Sequence, residues 1–161
     1  MNDDLRELYQ EVILDHSRRP RNRGELGDGA VHVHGDNPSC GDELDLWVRF
    51  AEDGRIDDIK FSGHGCAISQ ASASMMTARV KGRSSAEAAG VAAVMHTLLT
   101  DTAAAAPPEG IGELQLLQGV RQFPQRVKCA SLGWRALEEA LRLQAARLKD
   151  GSATTEDGDS R

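Results

Sequence analysis

From Glu43 to Phe50 apolar and polar residues alternate, with Leu44, Leu46, Val48 and Phe50 on one face and Glu43, Asp45, Trp47 and Arg49 on the other. A two-residue period of this kind belongs to a strand with one wet side. Asp53-Gly54 is a strong turn signal, and Ile56, Ile59 and Phe61 resume beyond it, so the segment predicts an antiparallel hairpin. A short β-branched piece, Ala30 to His34, precedes it. From Cys66 the composition turns to Ala, Ser and Met, which predicts a helix over 66–80 with Ile68, Ala71, Met75 and Met76 buried. Strands first and helices afterwards leave an α+β fold: a small three-stranded antiparallel sheet with helices packed on one face.

The flanks fill in that plan. Leu5, Leu8, Tyr9, Val12 and Ile13 follow helical spacing over residues 2–16, and the helix should stop before Pro20. Arg18, Arg19, Arg21 and Arg23 then crowd a short loop, which reads either as a solvated turn or as a docking patch for an acidic partner surface. Ser84 with Glu87 forms a capping-box pattern that opens a helix through about Leu99. Pro107, Pro108 and Gly110 mark a loop over 103–112, a short helix is expected over 113–119, and a long helix spans 126–148. Val127, Leu132, Ala136, Leu137, Ala140 and Leu141 are its expected buried set. The domain is thus expected to cover 1–149, followed by a disordered acidic tail over 150–161 that lacks any apolar anchor.

Composition removes several function classes. The chain has 161 residues and a net charge of −6, about half of it from the tail, which disfavours a general nucleic-acid binder. No run approaches the ~18 apolar residues of a membrane helix, and the acidic, amphipathic start is unlike a secretory signal. A cytoplasmic location is the expectation, and there disulfides do not persist.

Attention therefore falls on three cysteines. Cys40 lies in the turn-rich Asn37-Pro38-Ser39-Cys40-Gly41-Asp42, Cys66 follows Gly63-His64-Gly65 where a strand hands over to a helix, and Cys129 falls near the start of the last helix. A thiol at a helix N-terminus is expected to have a lowered pKa. Each alone could be a small buried hydrophobe, whereas all three in polar or glycine-flanked settings point to a shared site. Their separations of 26 and 63 residues match no zinc-finger spacing. Asp42 could reach the same site as Cys40 or simply form a turn. His64, two residues from Cys66, is the histidine best placed to support the site or to replace Asp42. Arg126 and Lys128 could screen surplus negative charge or be solvated helix residues. His32 and His34 read as surface residues, His16 and His96 as structural ones, and Trp47 and Trp134 as packing or surface aromatics.

These motifs carry a resemblance. Asn37-Pro38-Ser39-Cys40-Gly41-Asp42, Gly65-Cys66-Ala67-Ile68-Ser69 with Ala71-Ser72-Ala73-Ser74-Met75-Met76, and Lys128-Cys129-Ala130-Ser131-Leu132 are similar to the three cysteine motifs of the U-type iron–sulfur assembly proteins, the IscU, SufU and NifU N-terminal family. The likeness covers residues 3 to about 148 and implies a SufE/NifU-like fold. Three details resemble the SufU branch. Lys128 stands where IscU-type scaffolds carry a His. Phe123-Pro124-Gln125-Arg126-Val127-Lys128 replaces their Leu-Pro-Pro-Val-Lys stretch, and the segment over 100–125 is long.

The resemblance implies a tetrahedral zinc held by Cys40, Asp42, Cys66 and Cys129. It further implies a zinc-dependent sulfurtransferase that takes persulfide sulfur on Cys40 from a SufS-type cysteine desulfurase and serves downstream iron–sulfur assembly proteins. A scaffold holding a labile, transient [2Fe–2S] cluster on the same ligands and a structural zinc docking module are the alternatives.

Overall fold

The computed structural model describes residues 3–38, 40–100 and 111–149. The expected acidic tail and most of the expected 103–112 loop lie outside the described residues. The elements run α1 (Asp3–Arg18), β1 (Val31–Asn37), β2 (Asp42–Phe50), β3 (Ile56–His64), α2 (Ala67–Val80), α3 (Ser85–Thr100), a 3-10 helix (Gly112–Gln122) and α4 (Pro124–Lys149). The sheet is antiparallel in the order β1-β2-β3, as the alternation predicts. Leu44, Leu46 and Val48 are fully buried on its inner face. Between Arg49 and Phe50 the register shifts, so Arg49 opposes Asp58 while Phe50 opposes Ile56. That bulge lets Ile56 and Ile59, three residues apart, both point inward.

α4 lies across β1 and β2, and α2 lies against β3. α2 is the central helix, buried on nearly every side from Ser69 to Thr77 and flanked by α1 and α4. Its small residues permit close approach; a Cβ on Gly133 of α4 would lie 3.4 Å from the Ala73 Cα. The hydroxyls buried with them are satisfied, as burial requires. Ser72 donates to the Ala130 carbonyl at 2.6 Å and accepts from the Trp134 indole at 3.2 Å, which makes Trp134 a core residue. Ser74 Oγ accepts the Arg21 N–H at 2.8 Å and lies 2.7 Å from His16 Nδ1, so His16 is structural as expected. His96, by contrast, is exposed.

Helix ends follow their sequence signals. Ser84 and Glu87 exchange both capping-box bonds at 3.0 Å. α4 opens on Pro124, which has no N–H to leave unsatisfied at that position. Among the described residues no helix is long and apolar enough to cross a membrane.

Candidate metal centre

β1 runs three residues beyond the expected His34, to Asn37, and the loop that follows brings Cys40 near Cys129 of α4. The Asn37 carbonyl accepts both the Cys40 N–H at 3.1 Å and the Gly41 N–H at 2.9 Å. Gly41 has φ +76°, a left-handed conformation that glycine adopts without strain. The chain thus reverses within this turn and enters β2 at Asp42. Asp42 shares the inward parity of Leu44, Leu46 and Val48, which leaves its carboxylate only 1% exposed.

The buried carboxylate is half satisfied. Its Oδ1 accepts the Cys66 N–H at 2.9 Å, at the residue that caps α2. Its Oδ2 has no hydrogen-bond partner. Gly65 makes the approach possible, because a Cβ there would lie 2.4 Å from Asp42 Oδ1 and 2.5 Å from Ser69 Oγ. Donor atoms of Cys40, Asp42 and Cys129 fall within 4.8 Å of one another. Cys66 adjoins Cys129 but stands outside that tightest group. Exposure differs along the set: Cys40 is exposed, Cys66 half-buried and Cys129 buried.

Cys129 departs from the expected helix-terminus effect. It lies more than one turn into α4, and its thiol pKa is pushed well up. Burial is the largest cause, followed by the close approach of Asp42, Cys40 and Cys66. Without a cation, adding negative charge to this cluster is unfavourable; a bound divalent ion inverts that balance. Three thiols and a buried carboxylate with one unengaged oxygen are the donor types that suit Zn²⁺. The residues present therefore fit zinc.

The remaining candidates divide. His64 is exposed, opposite Glu43 across the sheet and 3.9 Å from its carboxylate. His32 and His34 both approach Asp45 Oδ1, at 2.8 and 3.1 Å, and His32 stacks on Trp47. Arg126 and Lys128 are exposed on the first turns of α4, and neither enters an ion pair with another described residue. In the arginine loop, Arg19 and Arg21 pair with Asp15 at 2.9 and 2.7 Å, Arg23 bonds to Gly63 and Gln70, and Arg18 is exposed at the end of α1. One feature escapes sequence inspection: a cavity of about 440 Å³ lined by Ala67, Ile68, Val120, Phe123 and Arg126, beside Cys66. Phe123, 60% exposed, forms part of its wall. Its only sequence signal is an aromatic residue next to the helix-opening Pro124.

Fold and site together define a small α+β domain that gathers three thiols and a carboxylate at one end of a three-stranded sheet. The chain belongs to the NifU-like N-terminal domain family, whose model matches residues 8–130. It is 47% identical over 141 residues to the iron–sulfur cluster assembly scaffold protein IscU of Streptococcus pyogenes serotype M1, covering 88% of this chain and 87% of that one. To the zinc-dependent sulfurtransferase SufU of Bacillus subtilis it is 41% identical over 140 residues, covering 87% and 93%. The crystal structure of FiSufU from Fervidobacterium islandicum AW-1 superposes with a TM-score of 0.75 at 35% identity, covering 84% of this chain and 97% of that one.

Proposed function

We propose that this chain is a zinc-dependent sulfur acceptor in iron–sulfur cluster assembly, receiving sulfur on Cys40 from the persulfide of a SufS-type cysteine desulfurase. One observation carries the reading: an exposed thiol, Cys40, stands beside a buried thiol and a buried carboxylate that has an oxygen without a partner. Cys40, Asp42, Cys66 and Cys129 would hold the zinc, which supplies a redox-inert Lewis acid that keeps thiols deprotonated and ordered.

Cys40 is the residue a macromolecular donor can reach. Its thiolate attacks the outer sulfur of the donor persulfide; a new S–S bond forms at Cys40 while the donor's S–S bond breaks and its cysteine leaves as a thiolate. The sulfane sulfur moves without net oxidation or reduction. Asp42 anchors the Cys66 backbone through one oxygen while offering the other to the metal. Cys129, fixed in α4, gives the site a rigid floor. Arg126 and Lys128, both exposed near the start of the helix that carries Cys129, would oppose the surplus negative charge of three thiolates and a carboxylate. The apolar cavity beside Cys66 offers the donor a surface to rest against.

The scaffold reading, with a [2Fe–2S] cluster as cargo on the same residues, draws support from the name of the Streptococcus pyogenes relative. Lys128 in place of a His before the third cysteine favours sulfur acceptance instead. The deciding test is elemental analysis of the purified chain together with desulfurase turnover. Zinc and faster alanine release support the acceptor, iron with acid-labile sulfide supports the scaffold, and zinc with unchanged turnover leaves a structural docking module.

A further inference from the structure

The arginine loop is not simply open to solvent. Gly24 N–H donates to the Phe61 carbonyl at 2.8 Å and Phe61 N–H to the Asn22 carbonyl at 3.0 Å, lacing residues 22–24 onto the outer edge of β3. From that fixed backbone the Arg23 guanidinium crosses the Phe61 ring, 5.7 Å from its centroid. One nitrogen donates to the Gly63 carbonyl at 2.8 Å and another to Gln70 Oε1 at 3.1 Å. Gly63 precedes Cys66 by three residues. Gln70 follows it by four, and its own N–H closes the first turn of α2 on the Cys66 carbonyl at 3.1 Å. One planar cation therefore spans both arms of the strand-to-helix corner on which Cys66 stands.

That corner matters more for Cys66 than for its partners. Cys66 is the thiol outside the tightest donor group, and its N–H is what holds Asp42 Oδ1. We infer that Arg23 is a positioning residue for the metal centre: it fixes the corner from Gly63 to Gln70 and thereby the place of Cys66 and of the Asp42 carboxylate. This rests on the zinc reading above for its consequence, though not for the bracing itself. Lysine would not substitute well, since a single ammonium on a flexible stem lacks the fork that reaches two acceptors at once and the flat face that stacks on Phe61.

The test uses the full chain with Arg23→Leu, Arg23→Lys and Gln70→Leu, read in two ways. Hydrogen exchange on metal-free protein should show faster exchange over residues 63–70 in all three variants, with α3 and the C-terminal half of α4 unchanged. Zinc affinity, measured by chelator competition, should fall roughly ten- to a hundred-fold in Arg23→Leu, as for other residues that orient metal ligands. Its Co²⁺ form should lose thiolate charge-transfer intensity toward the value of Cys66→Ser, a change that general destabilisation would not produce. If Arg23→Leu fails to fold, the milder Arg23→Lys and Gln70→Leu decide by the same measurements. Unchanged exchange over 63–70 with an unchanged cobalt spectrum overturns the inference. A wild-type chain that gives no thiolate band with cobalt defeats the metal reading instead, and the exchange data then still decide whether Arg23 braces the corner.

Discussion

Gly65→Ala probes the close approach of the Cys66 corner to the Asp42 carboxylate. An added Cβ would lie 2.4 Å from Asp42 Oδ1, 2.9 Å from Asp42 Cγ and 2.5 Å from Ser69 Oγ, all inside normal contact distance. Neither neighbour yields easily: Oδ1 is tied to the Cys66 N–H at 2.9 Å, and Ser69 Oγ donates to the Cys66 carbonyl at 3.0 Å. Overpacking of a tight site costs about 1–3 kcal/mol. Losing a hydrogen bond to a buried charged group costs about 1.5–3 kcal/mol. The two are alternative ways of relieving one clash, so the net expectation is about 2 kcal/mol. At about 2–4 °C per kcal/mol for a domain of this size, the melting temperature should fall by roughly 4–8 °C. Circular dichroism melts of the metal-free chain measure that fall, and chelator competition should show weaker zinc binding. In an Asp42→Ala background the clash is reduced to Ser69, and the cycle should show coupling of about 1 kcal/mol or more. A variant that melts and binds zinc like wild type, with no coupling to Asp42, would refute the geometry.

Further expectations follow from the same structure. Burial, then Arg21, depresses the His16 pKa below its ordinary 6.5, with Glu113 and Asp15 opposing. The folded state thus disfavours the proton that the unfolded chain accepts, so stability is full above about pH 6.5 and declines as pH falls below it. His16→Gln should flatten that decline in melts taken between pH 7 and pH 5. Ser84→Ala removes the acceptor for the Glu87 N–H and should lower stability by about 1 kcal/mol in urea titrations, leaving zinc binding unchanged. Arg18→Glu tests the docking patch without breaking the Asp15 pairs of Arg19 and Arg21, and should raise the amount of chain needed to half-saturate desulfurase stimulation; an unchanged value discards the patch.

Much of this architecture is legible in the sequence because the sheet has one buried face. The alternation from Glu43 to Phe50 sets both strand and orientation, and carried back one step it already points Asp42 inward. The capping box at Ser84 and Glu87 is equally local. Other features depend on tertiary contacts. α2 is buried almost all round, and its Ala and Ser residues leave no polar face to betray that. β1 reaches Asn37 because β2 supplies partners through Asp42, although Gly35, Asp36 and Asn37 look like turn residues. The Cys129 pKa follows from its burial, and then from the groups converging on it across the fold, and not from its place in a helix. The arginine cluster reads in sequence as a solvated turn or a docking patch, and its partners appear only in the fold, where Arg19 and Arg21 pair with Asp15 and Arg23 bonds to Gly63 and Gln70.

The central claim is that Cys40 accepts sulfur. Zinc-loaded chain incubated with a SufS-type cysteine desulfurase and cysteine, alkylated and digested, reports by mass spectrometry which cysteine gains a sulfur atom. The added sulfur is expected on the Cys40 peptide and absent in Cys40→Ser, with desulfurase stimulation lost in that variant. Sulfur on Cys66 or Cys129 instead, or undiminished stimulation by Cys40→Ser, would contradict it.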